Sequence, residues 1–480
     1  MQSLFSATPN DRPLPRALDL LTSLQEGSLS AEALLNQTYQ TIERWNPAVN
    51  AICTLLPLEA VQGQAREIDR LRARSQPVPP LAGIPIAVKD LAATAGIRTT
   101  MGTPVMKDNV PETDCLLVAR LRAAGAIIIG KTNTPELGAG SHTFNPIFGT
   151  TRNPYNLDLI AGGSSGGAAA ALATGMLCLA DGSDMGGSLR NPAAYCNVVG
   201  MRPTMGRIPT WPQVSSRFAR MAVEGPMART VEDCTLLLRL LSGPDARDPR
   251  SLYDNHGIDE RLLERDTRGV RIGWSAAPAG LAMEPALTSL LEQVPETLAR
   301  LGSEVEATAL TELAGAMDVF KTLRAAAYAM LAGDLYQRGH QEMKPTLAEN
   351  IKLGFEQTTR DIYTAEQART AMTTALAELF ERYDYLVMPT TQVMPFPVEL
   401  EYPSEIDGEP MHSYIDWMAV CCILSPFDVP CASVPAGFSA EGIPFGIQIV
   451  GRPGDDQGVM QMAYAWQQQT QHWRTPPTLG

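Results

Sequence analysis

Gly83-Ile84-Pro85-Ile86-Ala87-Val88-Lys89-Asp90 is an apolar run that ends in a charge. Two glycine-serine loops follow it, Gly162-Gly163-Ser164-Ser165-Gly166-Gly167 and Asp181-Gly182-Ser183-Asp184-Met185-Gly186-Gly187-Ser188. Ile84–Val88 has the β-branched, unbroken apolar character of a buried strand, with Lys89 at its end. Asp114–Ala124 reads as a helix, and Ala126–Ile129 as a second strand before Gly130-Lys131. Ala168–Thr174 is a strong helix former, and the apolar Leu177–Ala180 is a short strand entering the second loop. This strand–helix–strand rhythm predicts a sheet with helices packed on it.

Upstream, residues 14–75 form a helical segment. Helices are expected over Ala17–Leu24, Ser30–Trp45 and Pro57–Arg74, and Pro77, Pro79 and Pro80 end the last of them. Residues 83–205 form the core that carries the loops. Gly149–Ile160 and Ile208–Met227 read as irregular. Thr230–Leu241 is a helix, and Val270–Trp274 and Glu304–Ala307 are strands around a helix over Glu284–Leu301. Residues 311–382 are helical. Tyr385–Met388, Ala432–Pro435 and Phe445–Val450 return to strands, and Gln457–Gln471 closes as a helix. Strands on both sides of 311–382 make that stretch an insertion or a cap over a sheet built from both ends of the chain, with ordinary packing the alternative. Two domains are the default at 480 residues, but this arrangement makes 1–480 one domain. The expected class is α/β, a mixed, mostly central sheet covered on both faces by helices.

The composition narrows the function. Lys plus Arg number 38 against 52 Asp plus Glu, a net charge of −14, which argues against a basic nucleic-acid-binding face. The eight cysteines form no CxxC pair and no zinc spacing, so a reducing compartment is the simpler expectation. Met1–Arg16 lacks an apolar signal core, and Ala168–Ala180 is too short to cross a bilayer. A cytoplasmic protein without membrane or nucleic-acid partners is expected.

The loops carry the chemistry. Four glycines in six residues at 162–167 let backbone approach a ligand closely. A turn before the helix, or phosphate binding at its N-terminus, would use the same pattern, though the Lys-Ser/Thr ending of a P-loop is missing. Gly162-Gly163-Ser164-Ser165-Gly166 also matches a nucleophile elbow in form. An elbow needs an apolar strand before it and a histidine after it. Pro154–Ile160 is turn-like, and His256, His340, His412 and His472 lie in segments without a strand-end pattern. In the second loop, Met185, Gly186, Gly187 and Ser188 present successive N–H groups ahead of a helix start, as an oxyanion hole requires. Asp184 and Arg190 are placed to brace that loop, or to pair on the surface of a capped helix. Lys89 is either a strand-end charge reaching solvent or a buried base. Together the three segments offer a base, two hydroxyls and unhindered N–H donors, the equipment of acyl transfer by a serine without histidine.

In order, residue type and spacing, these segments resemble the amidase signature family. So do Gly130-Lys131-Thr132-Asn133, Gly149-Thr150-Thr151-Arg152-Asn153-Pro154 and Val199-Gly200-Met201-Arg202-Pro203-Thr204. The resemblance implies the amidase signature fold and a Ser–cis-Ser–Lys triad. Ser188 takes the place of the nucleophile and Ser164, 24 residues before it, that of the bridging serine behind a cis Gly163–Ser164 peptide. Lys89 is then the base, with Ser165 in support. Ala168 stands where many members have serine, and Met185 where Thr or Ile is common. The implied activity is hydrolysis of a carboxamide C–N bond, with esters or carbamates (urethanes) open, through an acyl-enzyme and without metal or cofactor. The amidase subunit of a tRNA-dependent amidotransferase and an inactive binding protein are the alternatives. Thr132–Gly138 and Glu224–Arg229 look more like the free amidases. A small-molecule amide, ester or carbamate is the expected partner of a monomer or homodimer. The helical stretch 311–382 and the loops near 206–222 and 392–420 are the expected pocket walls; their methionines and Phe320, Tyr328, Phe396, Tyr402 and Trp417 suggest an apolar pocket, with plain core packing the alternative.

Overall fold

A computed structural model describes residues 14–213, 221–253 and 257–478. The chain begins with helices α1 (Ala17–Glu26), α2 (Ala31–Val49) and α3 (Leu58–Ala73), with strand β1 (Ile52–Leu55) before α3. Ser30 caps α2 by accepting from the Ala33 N–H at 3.0 Å, which ties the helix start to its sequence signal. β2 (Pro85–Lys89), α4 (Leu116–Ala123) and β3 (Ile127–Thr132) follow. β3 is the middle of a three-stranded sheet, parallel to β2 and antiparallel to β1.

The stretch expected to be irregular over 149–160 is paired instead. β4 (Phe144–Asn145) joins β5 (Gly149–Thr150), and β6 (Arg152–Asn153) joins β7 (Asn156–Ile160). Asn145 Oδ1 accepts from the N–H groups of Ile147 and Phe148, and Asn153 Oδ1 from that of Tyr155. These are Asx turns that periodicity does not register. α5 (Gly166–Ala173) then leads into β8 (Leu179–Asp184), α6 (Arg190–Tyr195), β9 (Val199–Arg202), β10 (Val223–Ala228) and α7 (Val231–Leu241). β10 lies in a segment expected to be loop. It contains Gly225 and Pro226 and is defined by its antiparallel neighbours β8 and β9.

The second half holds β11 (Arg271–Trp274), α8 (Pro285–Leu291), α9 (Val294–Arg300) and β12 (Glu304–Ala307). The single helix expected over 284–301 is thus two, because Pro295 lacks the N–H that would continue the first. The helical stretch over 311–382 is α10 (Ala316–Gly339), α11 (Pro345–Glu356) and α12 (Thr359–Arg382). After it come β13 (Tyr385–Pro389), the hairpin β14 (Glu405–Ile406) and β15 (Glu409–Pro410), α13 (Ala419–Cys422), β16 (Cys431–Phe438), β17 (Pro444–Val450) and α14 (Asp456–Thr470).

The main sheet has eight strands in the order β12-β11-β13-β17-β16-β9-β10-β8, parallel across β12-β11-β13 and antiparallel beyond. It is a mixed sheet, as expected, but β2 and β3 are not part of it. Lys89's strand belongs to the smaller sheet and meets the edge strand β8 through a side chain: the Lys89 N–H donates to Asp181 Oδ1 at 3.1 Å. A main apolar core joins α1–α3, the small sheet, α5 and the main sheet. A second cluster gathers Phe320, Tyr328, Phe396, Trp417, Met418 and Cys422, with Met185 and Tyr402 packed on it. It brings α10 and the 392–422 segment over the second glycine-serine loop. Residues 214–220 of the expected pocket wall lie outside the described residues.

Candidate active site

β2 ends at Lys89, β8 ends at Asp184, and α5 begins at Gly166, so three element ends meet at one point. Lys89 is 2% exposed, and its Nζ is 2.7 Å from Ser164 Oγ, 2.8 Å from Ser165 Oγ and 3.1 Å from Ser183 Oγ. As an ammonium it donates to all three; when neutral it gives two N–H groups and accepts from the third hydroxyl. Burial pushes its pKa down to about 7, against the opposing pull of the Asp181 and Asp184 charges. Lys89 is thus a buried amine, and the solvent-reaching alternative does not apply.

Ser165 sits at the N-cap of α5 but its side chain makes no capping bond; its hydroxyl goes to Lys89. Its N–H donates to the Ser188 carbonyl at 3.2 Å, which fixes the first loop against the second. The Gly163–Ser164 peptide is cis. Gly163 is pressed against the Ser141–Thr143 backbone so closely that a Cβ there would stand 2.9 Å from Thr143 Oγ1.

The second loop is organised by Asp184, fully buried. Its carboxylate accepts from the N–H groups of Gly187 (2.8 Å) and Leu189 (3.2 Å) and from Arg190 Nε and Nη2 at 3.0 Å each. Arg202 Nη1 adds a contact at 3.3 Å. Burial alone would raise this carboxyl, but Arg190, Arg202 and the Gly187 N–H hold it well below the ordinary carboxylate range. The surface ion pair considered from sequence is therefore a buried brace, and Arg190 extends it to Gln448 Oε1 at 2.8 Å. Replacing Asp184 by Asn leaves two buried guanidiniums uncompensated and is expected to cost about 3–5 kcal/mol of stability. The check is denaturant unfolding at neutral pH. Because the folded carboxyl is depressed, the loss is complete above the ordinary 3.8 and shrinks as pH falls below it.

This brace corrects one expectation. The Gly187 N–H, assigned to the oxyanion hole from sequence, is taken by Asp184. Gly187 adopts φ +112, a conformation that suits glycine and turns this N–H inward. The N–H groups of Met185, Gly186 and Ser188 are not taken by that carboxylate. Ser188 is 6% exposed and Ser164 2%. Among the described residues no hydrogen bond joins their two hydroxyls; Ser164 Oγ is held from the Lys89 side.

Ser183 and Asp181 were not singled out from sequence. Residues 181–184 read as loop, whereas β8 runs through Asp184. Strand alternation then places Asp181 and Ser183 on the Lys89 side and Asp184 on the opposite side, toward Arg190 and Arg202. Of the histidines, His340 Nδ1 bonds the Tyr336 carbonyl of its own helix, His412 is exposed, His472 packs on Phe438, and His256 lies outside the described residues. His142 flanks the first loop, but its Nδ1 faces the Leu400 carbonyl at 3.0 Å and burial pushes its pKa down to about 4. No described histidine meets either serine, which removes the elbow arrangement. No helix of the described residues is long and apolar enough to cross a membrane.

A sequence profile of the family described as Amidase matches residues 33–460. The chain is 34% identical, over 97% of its length and 98% of the other, to one of the subunits of the glutamyl-tRNA(Gln) amidotransferase of Moorella thermoacetica. It is also 34% identical to an acylamidase of Rhodococcus erythropolis, over 93% of this chain and 94% of that one. Its fold is similar to the crystal structure of a bacterial aryl acylamidase of the amidase signature enzymes, with a TM-score of 0.91 and 28% identity over 98% and 100% of the two chains.

Proposed function

The chain belongs to the amidase signature family of amide hydrolases, and we propose that it works alone as an acylamidase with Ser188 as nucleophile, Ser164 as proton bridge and Lys89 as base. The observation that carries this reading is Lys89 itself, a buried amine with a pKa about 7, set 2.7 Å from Ser164 Oγ beside the Met185–Ser188 loop. Neutral Lys89 accepts a proton from Ser164, which takes one from Ser188 as Ser188 Oγ attacks the carbonyl carbon. The hydroxyls of Ser164 and Ser188 come into line when substrate fills the site, since such bonds tighten in the Michaelis complex. The oxyanion develops against the N–H groups of Met185, Gly186 and Ser188. The proton returns through Ser164 to the leaving nitrogen, the C–N bond breaks, and water hydrolyses the ester on Ser188. Asp184, Arg190 and Gly187 position the donors, while Ser165 and Ser183 hold the Lys89 amine.

The wall above the loop supports an acylamidase over a glutamine-using enzyme. A Cβ added at Gly186 would stand 2.8 Å from Phe320 Cζ, 3.1 Å from Cys422 Sγ and 3.1 Å from Met418 Cε. That surface is apolar and suits an aryl or alkyl group. The 311–382 insertion supplies Phe320 and acts as the cap. The same chemistry cleaves esters and carbamates.

A panel of 4-nitroanilides, matched esters and aryl carbamates, with glutamine as comparator, tests the reading. Turnover of the aryl and alkyl substrates without a partner protein is expected, and glutamine is expected to be hydrolysed slowest. Labelling of Ser188 by a fluorophosphonate excludes the inactive binding protein. Co-purification with a second protein, and dependence of activity on it, would favour the amidotransferase reading.

A further inference from the structure

Arg324 lies one helical turn beyond Phe320 on α10, and Tyr328 one turn further. The two ends of this face touch the reaction centre from opposite sides. Phe320 packs on Gly186 of the oxyanion loop, and Tyr328 Oη donates to the Leu137 carbonyl at 3.3 Å. Leu137 precedes Gly138, where an added Cβ would be 3.5 Å from Ser164 Oγ. The eight residues from Phe320 to Tyr328 rise about 12 Å, so Arg324 sits midway along the wall between the two serine loops.

Its chemistry is unusual for that place. Arg324 is 2% exposed, and among the described residues no carboxylate lies within ion-pair distance of it. Nη2 donates to Tyr414 Oη at 2.8 Å and Nη1 to Asn350 Oδ1. The guanidinium lies 4.4 Å from the Tyr328 ring and 5.2 Å from that of Tyr414. Neither tyrosine supplies an anion: burial raises both phenols, that of Tyr414 to about 12. The nearby Lys344 adds positive charge, and its own partners, Glu401 at 3.3 Å and the Ala139 carbonyl at 3.1 Å, are separate. A guanidinium does not deprotonate, so a buried one is ordinarily paired with an acid. Here its donors meet neutral side-chain oxygens, those of Tyr414, Asn350 and Tyr328, and a guanidinium, with five donors in all, has others to offer a carboxylate.

We infer that Arg324, assisted by the Tyr414 hydroxyl, is a specificity subsite that recognises a carboxylate on the substrate of the Ser188 reaction. The inference rests on the acylamidase reading and names the substrate class, aryl or alkyl amides that carry a free carboxylate, with no ammonium beside it, a few atoms from the scissile bond; the positive charge of Lys344 disfavours the ammonium of glutamine. A substrate seated between the two serine loops would lie along the α10 wall, whose Phe320 and Tyr328 ends touch those loops and whose middle is Arg324. The apolar Phe320–Met418–Cys422 wall then receives the rest of the molecule.

Two substrate pairs test this on the full-length enzyme. One places the carboxylate on the acyl side: the mono-4-nitroanilide of glutaric acid against that of its methyl ester. The other places it on the amine side: 4-acetamidobenzoate against 4-methylacetanilide. In one pair the carboxylate member is expected to be preferred by about tenfold or more in kcat/KM, the range of a charge-assisted hydrogen bond. Arg324→Met should bring that ratio to about one, whatever its absolute rate. A ratio at or below one in both pairs, or a preference that persists in Arg324→Met, overturns the inference. A merely structural arginine lowers both members together and leaves the ratio intact. If Arg324→Met does not fold, protection of wild-type Ser188 from fluorophosphonate by glutarate or 4-aminobenzoate, and not by their methyl esters, carries the test, and its absence counts against the subsite. Failure of all four substrates together with no labelling of Ser188 would instead overturn the acylamidase reading.

Discussion

Ser188→Ala is expected to lower kcat/KM by about 10⁴-fold or more, ~5.5 kcal/mol of transition-state stabilisation, while leaving the fold intact. The effect is large because no other group takes over the role. Ser164 and Ser165 are bound to the Lys89 amine at 2.7 and 2.8 Å, and no described histidine reaches the loop. The side chain of Ser188 takes part in none of the Asp184–Arg190–Arg202 bonds that brace the segment, so its removal leaves that brace whole. Thermal unfolding of the variant should match wild type within a few degrees. Activity within about tenfold of wild type would mean that another atom attacks the carbonyl.

Lys89→Met is expected to abolish turnover to a similar degree and to have opposite consequences for stability. In wild type, kcat/KM should rise with pH through about 7 and level off above it, because the base is the neutral amine. The sign of the stability effect follows from the same depression of the pKa. The unfolded chain holds the proton up to the ordinary 10.5 and the folded chain only to about 7, so wild-type stability rises with pH across that window. Below it, the folded state bears the whole cost of a buried ammonium. Methionine removes a cost that grows toward low pH, so the stability of Lys89→Met relative to wild type should be more favourable at pH 6 than at pH 9. Chemical denaturation at both values measures this. A pH–rate profile that survives in Lys89→Met, or a relative stability independent of pH, would assign the titration to a different group.

The three decisive segments were legible because each combines a local rule with a chemical residue. Ile84–Val88 is apolar and β-branched, Ala168–Thr174 is helix-forming, and the loops between them are rich in glycine. The helices α1, α2, α3, α7 and α14 were legible from their periodicity, and β12 was placed at its observed limits. Local pattern failed where pairing or a side chain decided the outcome. β10, with Gly225 and Pro226, is a strand because β8 and β9 flank it. β4–β7 are organised by the side chains of Asn145 and Asn153.

At the site itself, the residue types and their order along the chain were enough to nominate Lys89, Ser164, Ser188 and the Asp184–Arg190 pair as a group. What only the tertiary structure decided is which atoms face one another. The burial that brings the Lys89 amine to about 7 depends on β2 meeting β8 across two different sheets. The loss of the Gly187 N–H to Asp184, and the entry of Arg202 from β9 into the same brace, follow from packing that no spacing encodes. Ser183 and Asp181 join the lysine because β8 continues through Asp184, and alternation then chooses their side. Arg324 is separated from the serines by more than a hundred residues, and only the packing of α10 across the two loops gives its charge a place in the chemistry.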